Sequence, residues 1–322
     1  MKEFKLSCIV PVYNGEKFIK HCLTTILKQN VKNLEIIVVN DASTDNTSFV
    51  VQEMIKKDSR IKLYTNLTNQ GVSGSRNYGI SKATGTHIHF IDSDDNLQPN
   101  AYDCIYDFFL KNSSDILIFD YHKISYISYF QRYKTRNLKE DTNLANTITS
   151  KTDVLKNGGV VVWNKIFSVN FLLKHNIKFI ENIIYEDIPF FWSTILLANS
   201  IYYIKKSLYK YNHISTSIMN TKLTIHKAKY IVISMLSVKD FLISNDYWKQ
   251  NEYKILYIKK LLQTYVAFLS KVKTKKHLLF NKMYNNLQSI DLEDIKPYVS
   301  KWKYWKYSLL KNNKYYLWVI LF

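Results

Sequence analysis

The sequence predicts an α/β fold in which a mainly parallel sheet is flanked by helices and followed by a helical C-terminal extension. Three observations carry this. Four short runs in the first hundred residues are apolar almost throughout, as strands buried on both faces must be. They alternate with stretches of helical period, the order expected of parallel strands joined by helical crossovers. Beyond about residue 220 the chain turns Lys-rich and aromatic and shows no further strand pattern.

The first run, Leu6-Ser7-Cys8-Ile9-Val10-Pro11-Val12-Tyr13-Asn14, reads as a strand ending in a Pro-containing turn, with a helix through Lys17–Lys28. Leu34–Asp41 repeats the pattern, and the Ala42-Ser43-Thr44-Asp45 cluster suits capping of a helix that runs to Lys56. Ile61–Tyr64 is a third, shorter strand. Asn69-Gln70-Gly71-Val72-Ser73-Gly74-Ser75-Arg76-Asn77 reads as a Gly-punctuated loop entering a helix, and Thr86–Ile91 as the fourth strand. Right-handed crossovers bring the C-terminal ends of such strands to one edge, where open α/β sheets bind ligands. Pro11–Asn14, Asn40–Asp41, Asn69–Arg76 and Asp92–Asp95 therefore converge on one crevice of a Rossmann-like sheet.

The fourth strand ends in Asp92-Ser93-Asp94-Asp95, three carboxylates within four positions. Like charges held that close repel unless a cation sits beside them. Hard oxygen ligands suit Mg²⁺ or Mn²⁺, which take a few carboxylates and leave other positions to substrate phosphates. The plain alternative is a solvated acidic turn.

Six segments together resemble the family 2 glycosyltransferases of GT-A fold, the inverting type that builds bacterial surface glycans. They are Ile9–Asn14 (IVPVYN), Val38–Asp45 (VVNDASTD), Asn69–Asn77 (NQGVSGSRN), Phe90–Asp95 (FIDSDD), Val162–Phe167 (VWNKIF) and Tyr185–Phe190 (YEDIPF), in the family's order. The resemblance implies that Pro11, Tyr13 and Asp41 hold the nucleotide base, and that Asn69, Gly71 and Arg76 line the base and diphosphate. It implies further that Asp92 and Ser93 face the ribose or metal, that Asp94 binds the metal, and that Asp95 lies near the substrate. Tyr13 as an ordinary packed aromatic, and Arg76 as the partner of a neighbouring carboxylate, are the structural alternatives.

Glu186-Asp187 is a second acidic pair beside an apolar helical stretch, and carboxylates there need partners or a function. The resemblance makes one of them, usually the Asp, general base for the acceptor hydroxyl. Asp at a helix N-cap followed by Pro189 in the first turn is the structural alternative. Trp163 and Lys165 are expected near sugar and acceptor, with a core role open for Trp163. Tyr209–Ile218 resembles the family's closing segment, but Asn212 stands where Arg is common. His213 either completes the metal site, touches the diphosphate or is structural.

Residues 1–220 are expected to form the catalytic domain, 1–100 binding nucleotide and 101–220 binding acceptor, and 221–322 a basic, aromatic-rich helical region. The chain of 322 residues carries a formal net charge of +19, and its last 102 residues hold 19 Lys and no Arg against 6 acidic residues. Lys301, Trp302, Lys303, Tyr304, Trp305 and Lys306 interleave charge with aromatic rings, the composition of interfacial membrane anchors. Three scattered cysteines (Cys8, Cys22, Cys104) and no visible secretory signal point to the cytoplasm, at the inner face of the cell membrane. A UDP-sugar donor and a glycan or glycolipid acceptor complete the expected partners. A nucleotidyltransferase, which would release pyrophosphate, is the nearer rival. A basic non-enzymatic membrane or nucleic-acid binder is the other, but no finger, RNP or helix-turn-helix pattern appears, so no nucleic-acid partner is expected.

Overall fold

The computed structural model describes residues 4–31, 33–125, 147–148, 150–213, 224–272, 276–288 and 290–314. The side chain of His213 and the terminal run 315–322 lie outside what it describes, and with them the expectation of His213 at the metal site or diphosphate. Contacts divide the chain into two units: 1–182 with 190–220, and 183–189 with 221–322.

The first unit is α/β, as the apolar runs predict. Strands β1 (Leu6–Val12), β2 (Leu34–Asn40), β3 (Ile61–Thr65) and β4 (His87–Phe90) pair in parallel, with helices α1 (Ile19–Leu27), α2 (Thr47–Ile55) and α3 (Gly71–Lys82) between them. The chain continues through β5 (Asn96–Leu97), α4 (Ala101–Lys111), β6 (Ile116–Ser125), β7 (Thr147–Ile148), α5 (Lys151–Asn157), β8 (Lys165–Ser168), α6 (Val169–Lys174), α7 (Asp187–Leu197) and β9 (Ile201–His213). The sheet order is β3-β2-β1-β4-β8-β6-β9-β5, with β7 paired to β9. β8 runs antiparallel to both β4 and β6, whereas β6 and β9 are parallel to each other, so β9 points the same way as β1.

Every residue of β1 and β2 is buried, because helices cover both faces. Leu6, Cys8, Val10 and Val12 join α1's apolar stripe of Ile19, Cys22, Leu23 and Ile26 in one core. Ile9 faces the other way, and there α3 comes so near that a Cβ on Gly79 would lie 2.4 Å from an Ile9 methyl carbon. Phe90, Phe167, Phe179 and Phe190 pack as an aromatic cluster, the last two stacked at 3.9 Å.

Pro11 sits inside β1, opposite Val39, and not in the following turn. A proline in an inner strand would ordinarily break a ladder. Here the β1–β4 ladder stops at Ile9↔Phe90, with one further bond from the Ile91 amide to the Ile9 carbonyl, so no strand on that side needs the missing N–H.

One charge is buried at the opposite edge of the sheet. Glu35 accepts from Lys62 Nζ at 2.7 Å, Ser7 Oγ at 2.6 Å, and the Thr84 amide and hydroxyl at 2.6 and 2.8 Å. Burial alone would push its carboxyl upward, but these donors together hold it down at about 2. Folding therefore gains stability from ionised Glu35 that is complete above the unfolded value near 4.5 and is lost as the pH falls toward 2. Glu35→Gln should cost about 2–3 kcal/mol at neutral pH. In denaturant unfolding, the gap between variant and parent should close between about pH 4.5 and pH 2.

Candidate active site

The carboxylate turn follows β4 at the point where strand order reverses between β1 and β4, the position at which open α/β sheets carry ligand crevices. Asp92 is partly exposed and receives Arg76 Nη2 at 3.0 Å, while Arg76 itself is almost wholly buried, with its guanidinium carbon 5.1 Å from the Phe179 ring centroid. The structural alternative for Arg76, pairing with a neighbouring carboxylate, is thus realised. Asp94 is half-buried, and burial, reinforced by the nearby Asp92 charge, raises its carboxyl to about 6.

Asp95 belongs to the scaffold. It is fully buried, accepts from Tyr209 Oη at 2.8 Å and from the Asn212 amide at 2.7 Å, and so faces β9 and not the crevice. Burial first, then Asp92 and Asp94, push its carboxyl well up against the pull of those two bonds. Asn212 Nδ2 also donates to the Asp94 carbonyl at 2.8 Å, and the Asp92 amide donates to Tyr209 Oη at 3.3 Å. The residue found where Arg is common therefore serves the turn's backbone. Tyr209, which lies within β9, was not singled out from the sequence as a site residue; its signal is that it begins the segment resembling the family's closing motif.

Other elements reach the same edge. Tyr13 follows β1 and is 52% exposed, so it is not a packed core aromatic. Ser93 is half-buried, and its hydroxyl would lie 3.8 Å from a Cβ placed on Gly15 in the β1–α1 connection. Asp41, after β2, is buried, and its Oδ1 accepts from Asn66 Nδ2 at 2.7 Å and the Gln70 amide at 2.8 Å. Asn66 was not expected there. Asn69 is exposed and caps the Gly71 amide at 3.1 Å. Gly71 has φ +72, a conformation glycine adopts freely, and it starts α3 directly. The stretch read as a loop to Asn77 is therefore helical from Gly71, which places Arg76 on a rigid element.

For Trp163 the core alternative is realised, and the expectation for Lys165 is corrected. Trp163 is buried, wedged between Tyr209 at 4.6 Å and Tyr211 at 5.4 Å, with both rings nearly parallel to it. Its carbonyl accepts from His89 Nε2 at 2.7 Å; a carbonyl can only accept, so His89 Nδ1 takes the Tyr102 hydroxyl proton at 2.9 Å. Lys165 is 1% exposed, and its ammonium donates to the Gly159 and Val161 carbonyls and to Asn164 Oδ1 at 2.8, 2.6 and 2.8 Å. Three ammonium hydrogens thus have three protein acceptors, and the side chain fastens the 159–164 segment from inside.

Glu186 and Asp187 fall in the second unit. Glu186 is buried, and Asp187 is the first residue of α7, with Pro189 in the first turn, where its missing N–H costs nothing. Among the described residues no group of three or more His, Cys, Asp or Glu side chains converges as a ready cation cage.

The model of the family described as glycosyl transferase family 2 matches residues 7–175. Glycosyltransferase GlyA of Streptococcus pneumoniae serotype 4 is 29% identical over 252 residues, covering 75% of this chain but only 35% of that protein. The Escherichia coli UDP-Glc:α-D-GlcNAc-diphosphoundecaprenol β-1,3-glucosyltransferase WfgD is 31% identical over 201 residues, 62% of this chain and 73% of its own. Among solved structures, Staphylococcus aureus TarS 1–349 in complex with UDP-GlcNAc superposes with a TM-score of 0.78 at 21% identity, covering 97% of this chain and 89% of that one. That likeness establishes a shared GT-A fold.

Proposed function

The chain belongs to glycosyl transferase family 2, and on that premise we propose that it transfers a hexose or N-acetylhexosamine from a UDP-sugar to a hydroxyl of a growing surface glycan, with inversion. The observation that carries the reading is the Asp92–Asp94 pair at the sheet's switch point, with Arg76 locked beside it. WfgD's name and the TarS complex, both naming UDP-linked sugars, support the choice of donor. Hydrolysis measured across UDP-, GDP- and dTDP-sugars tests it; turnover confined to the latter two would reject the donor, and pyrophosphate as product would reject the transferase.

The donor set fits a divalent cation. Asp94, raised to about 6 by burial and then by the Asp92 charge beside it, would be relieved by Mg²⁺ or Mn²⁺, whose remaining positions water and diphosphate oxygens would fill. Such an ion supplies charge stabilisation to the departing nucleoside diphosphate. The chain's own contribution is to keep Asp92 oriented through Arg76, to fix the turn through Tyr209 and Asn212, and to present Tyr13 and Asp41 toward a base.

Asp94→Ala should reduce metal-dependent transfer at least about 100-fold, a loss in line with removing one charge-stabilising group. Because an elevated carboxyl pKa means that the folded state bears a cost above the unfolded value near 3.8, complete above about 6, the metal-free variant should melt no lower than the parent at pH 7.5. Turnover within a few-fold of the parent would remove Asp94 from the metal site.

Asp187 is assigned as the general base for the acceptor hydroxyl, with Glu186 beside it. Asp187→Asn keeps the shape and loses the proton acceptor, so transfer should fall by about 10²–10⁴-fold. Calorimetric UDP affinity should stay unchanged; lost UDP binding would move Asp187 into the donor site instead.

The basic C-terminal region is assigned to an anionic membrane surface at the cytoplasmic face, where a lipid-linked acceptor would be met. Lys301, Trp302, Lys303 and Trp305 are exposed on α11 (Lys301–Lys311), a composition suited to headgroup depth. Among the described residues no helix is long and apolar enough to cross a membrane. Trp302→Ala with Trp305→Ala should lower sedimentation with phosphatidylglycerol vesicles several-fold at low salt while sparing donor hydrolysis; unchanged partitioning would reject the surface.

A further inference from the structure

We propose that the C-terminal helical unit is part of the transfer machinery, because α8 (Ile225–Ser244) and α9 (Asn251–Lys271) set the position of the Glu186–Asp187 segment. The inference rests on the reading of Asp187 as base. Residues 183–189 separate from their sequence neighbours on both sides and cluster with 221–322. Side chains of both helices help to hold them there. Ser234, wholly buried on α8, donates its hydroxyl to the Ile184 carbonyl at 3.3 Å. Phe268 on α9 meets the Tyr185 ring at 5.4 Å and 81°, the edge-to-face arrangement aromatic pairs favour.

The backbone says why such holding is needed. Tyr185 has φ +70, the left-handed region, which is unfavourable for a bulky side chain and persists only where surroundings over-determine it. Its carbonyl accepts the Ile188 amide at 3.2 Å and closes the turn into α7. The surroundings that over-determine this turn are a bond to the residue before Tyr185 and a ring against its own side chain. Released from them, residue 185 would relax to ordinary φ, and the directions of the next two side chains would change with it. A base must lie within hydrogen-bond reach of the proton it takes, and small displacements cost rate steeply. Ser234 and Phe268 are thus positioning residues, acting on the base through residues 184 and 185.

The test uses the full chain. Phe268→Ala and Ser234→Ala should each lower kcat for transfer by about 10-fold or more while calorimetric UDP affinity and donor KM stay within about two-fold. Phe268→Tyr should restore kcat to within about three-fold, since it keeps the ring edge. Tyr185→Gly, free of left-handed strain but lacking the ring, should be lowered likewise, and combining it with Phe268→Ala should add little, because the two act through one contact. Should Phe268→Ala unfold the protein, Phe268→Leu keeps most of the packing volume and should show the same kcat loss. Normal kcat in the Phe268 and Ser234 variants, alongside lost transfer in Asp187→Asn, would overturn the positioning role and leave the base intact. Normal transfer in Asp187→Asn would overturn the base, and this proposal with it.

Discussion

Like-charge repulsion at the end of β4 is the constraint around which the first unit is organised. Three carboxylates in four residues are tolerated because each is handled differently. Asp92 has the Arg76 guanidinium; Asp95 has the Tyr209 hydroxyl and the Asn212 amide; Asp94 is left half-buried with its carboxyl near 6. The partners come from α3 and β9, elements far apart in sequence. The turn therefore ties the parallel half of the sheet to the mixed half, and the β5–β9 ladder immediately after it, Asn96↔Lys210 and Leu97↔Tyr209, continues the same tie.

Tyr209 shows how closely core and site are joined. Its hydroxyl bonds Asp95 and takes the Asp92 amide, while its ring stacks on Trp163, whose carbonyl holds His89. Burial keeps that imidazole's value down near 4, so it is neutral at physiological pH and its tautomer is set by the carbonyl it must serve. Loss of the neutral form is felt as the pH falls from the unfolded value near 6.5 toward 4, when the unfolded chain binds the proton first. Rigid placement of the carboxylates thus depends on an aromatic stack packed inside the fold.

What the sequence could disclose follows from the range of each signal. The β1, β2 and β4 runs are legible because burial on both faces leaves few polar positions, Ser7, Glu35, Asn40, His87 and His89, each with an internal partner. Trp163 takes the core role left open for it, whereas Lys165 misled because residue type says nothing of direction. Lysine is normally solvated, and only the clustered carbonyls of 159–164 make its burial tolerable. Asp95 misled for the same reason, its partners lying 114 and 117 residues away. Gly71 was taken for loop because glycine disfavours helix, yet at a first helical position its positive φ is an asset.

The crevice itself arises from unequal ladders on the two sides of β1. Toward β2 the pairing runs as far as Val12↔Asn40, and the Asp41 amide still reaches the Val12 carbonyl; toward β4 it stops at Ile9↔Phe90. The chain after β4 must therefore leave the sheet three residues before β1 ends. Pro11 enforces the asymmetry, since it offers no donor on the side where β4 would otherwise extend. Were that ladder to continue, residues 92–94 would be paired backbone, and Asp92 and Asp94 would stand on one face of the sheet, under its covering helices, and not at its edge. Ended early, the same residues fold into a turn, closed by the Asp95 amide on the Asp92 carbonyl, that keeps Asp92 and Asp94 near enough for each to feel the other's charge. A missing amide hydrogen in one strand thus prepares the electrostatics of the next.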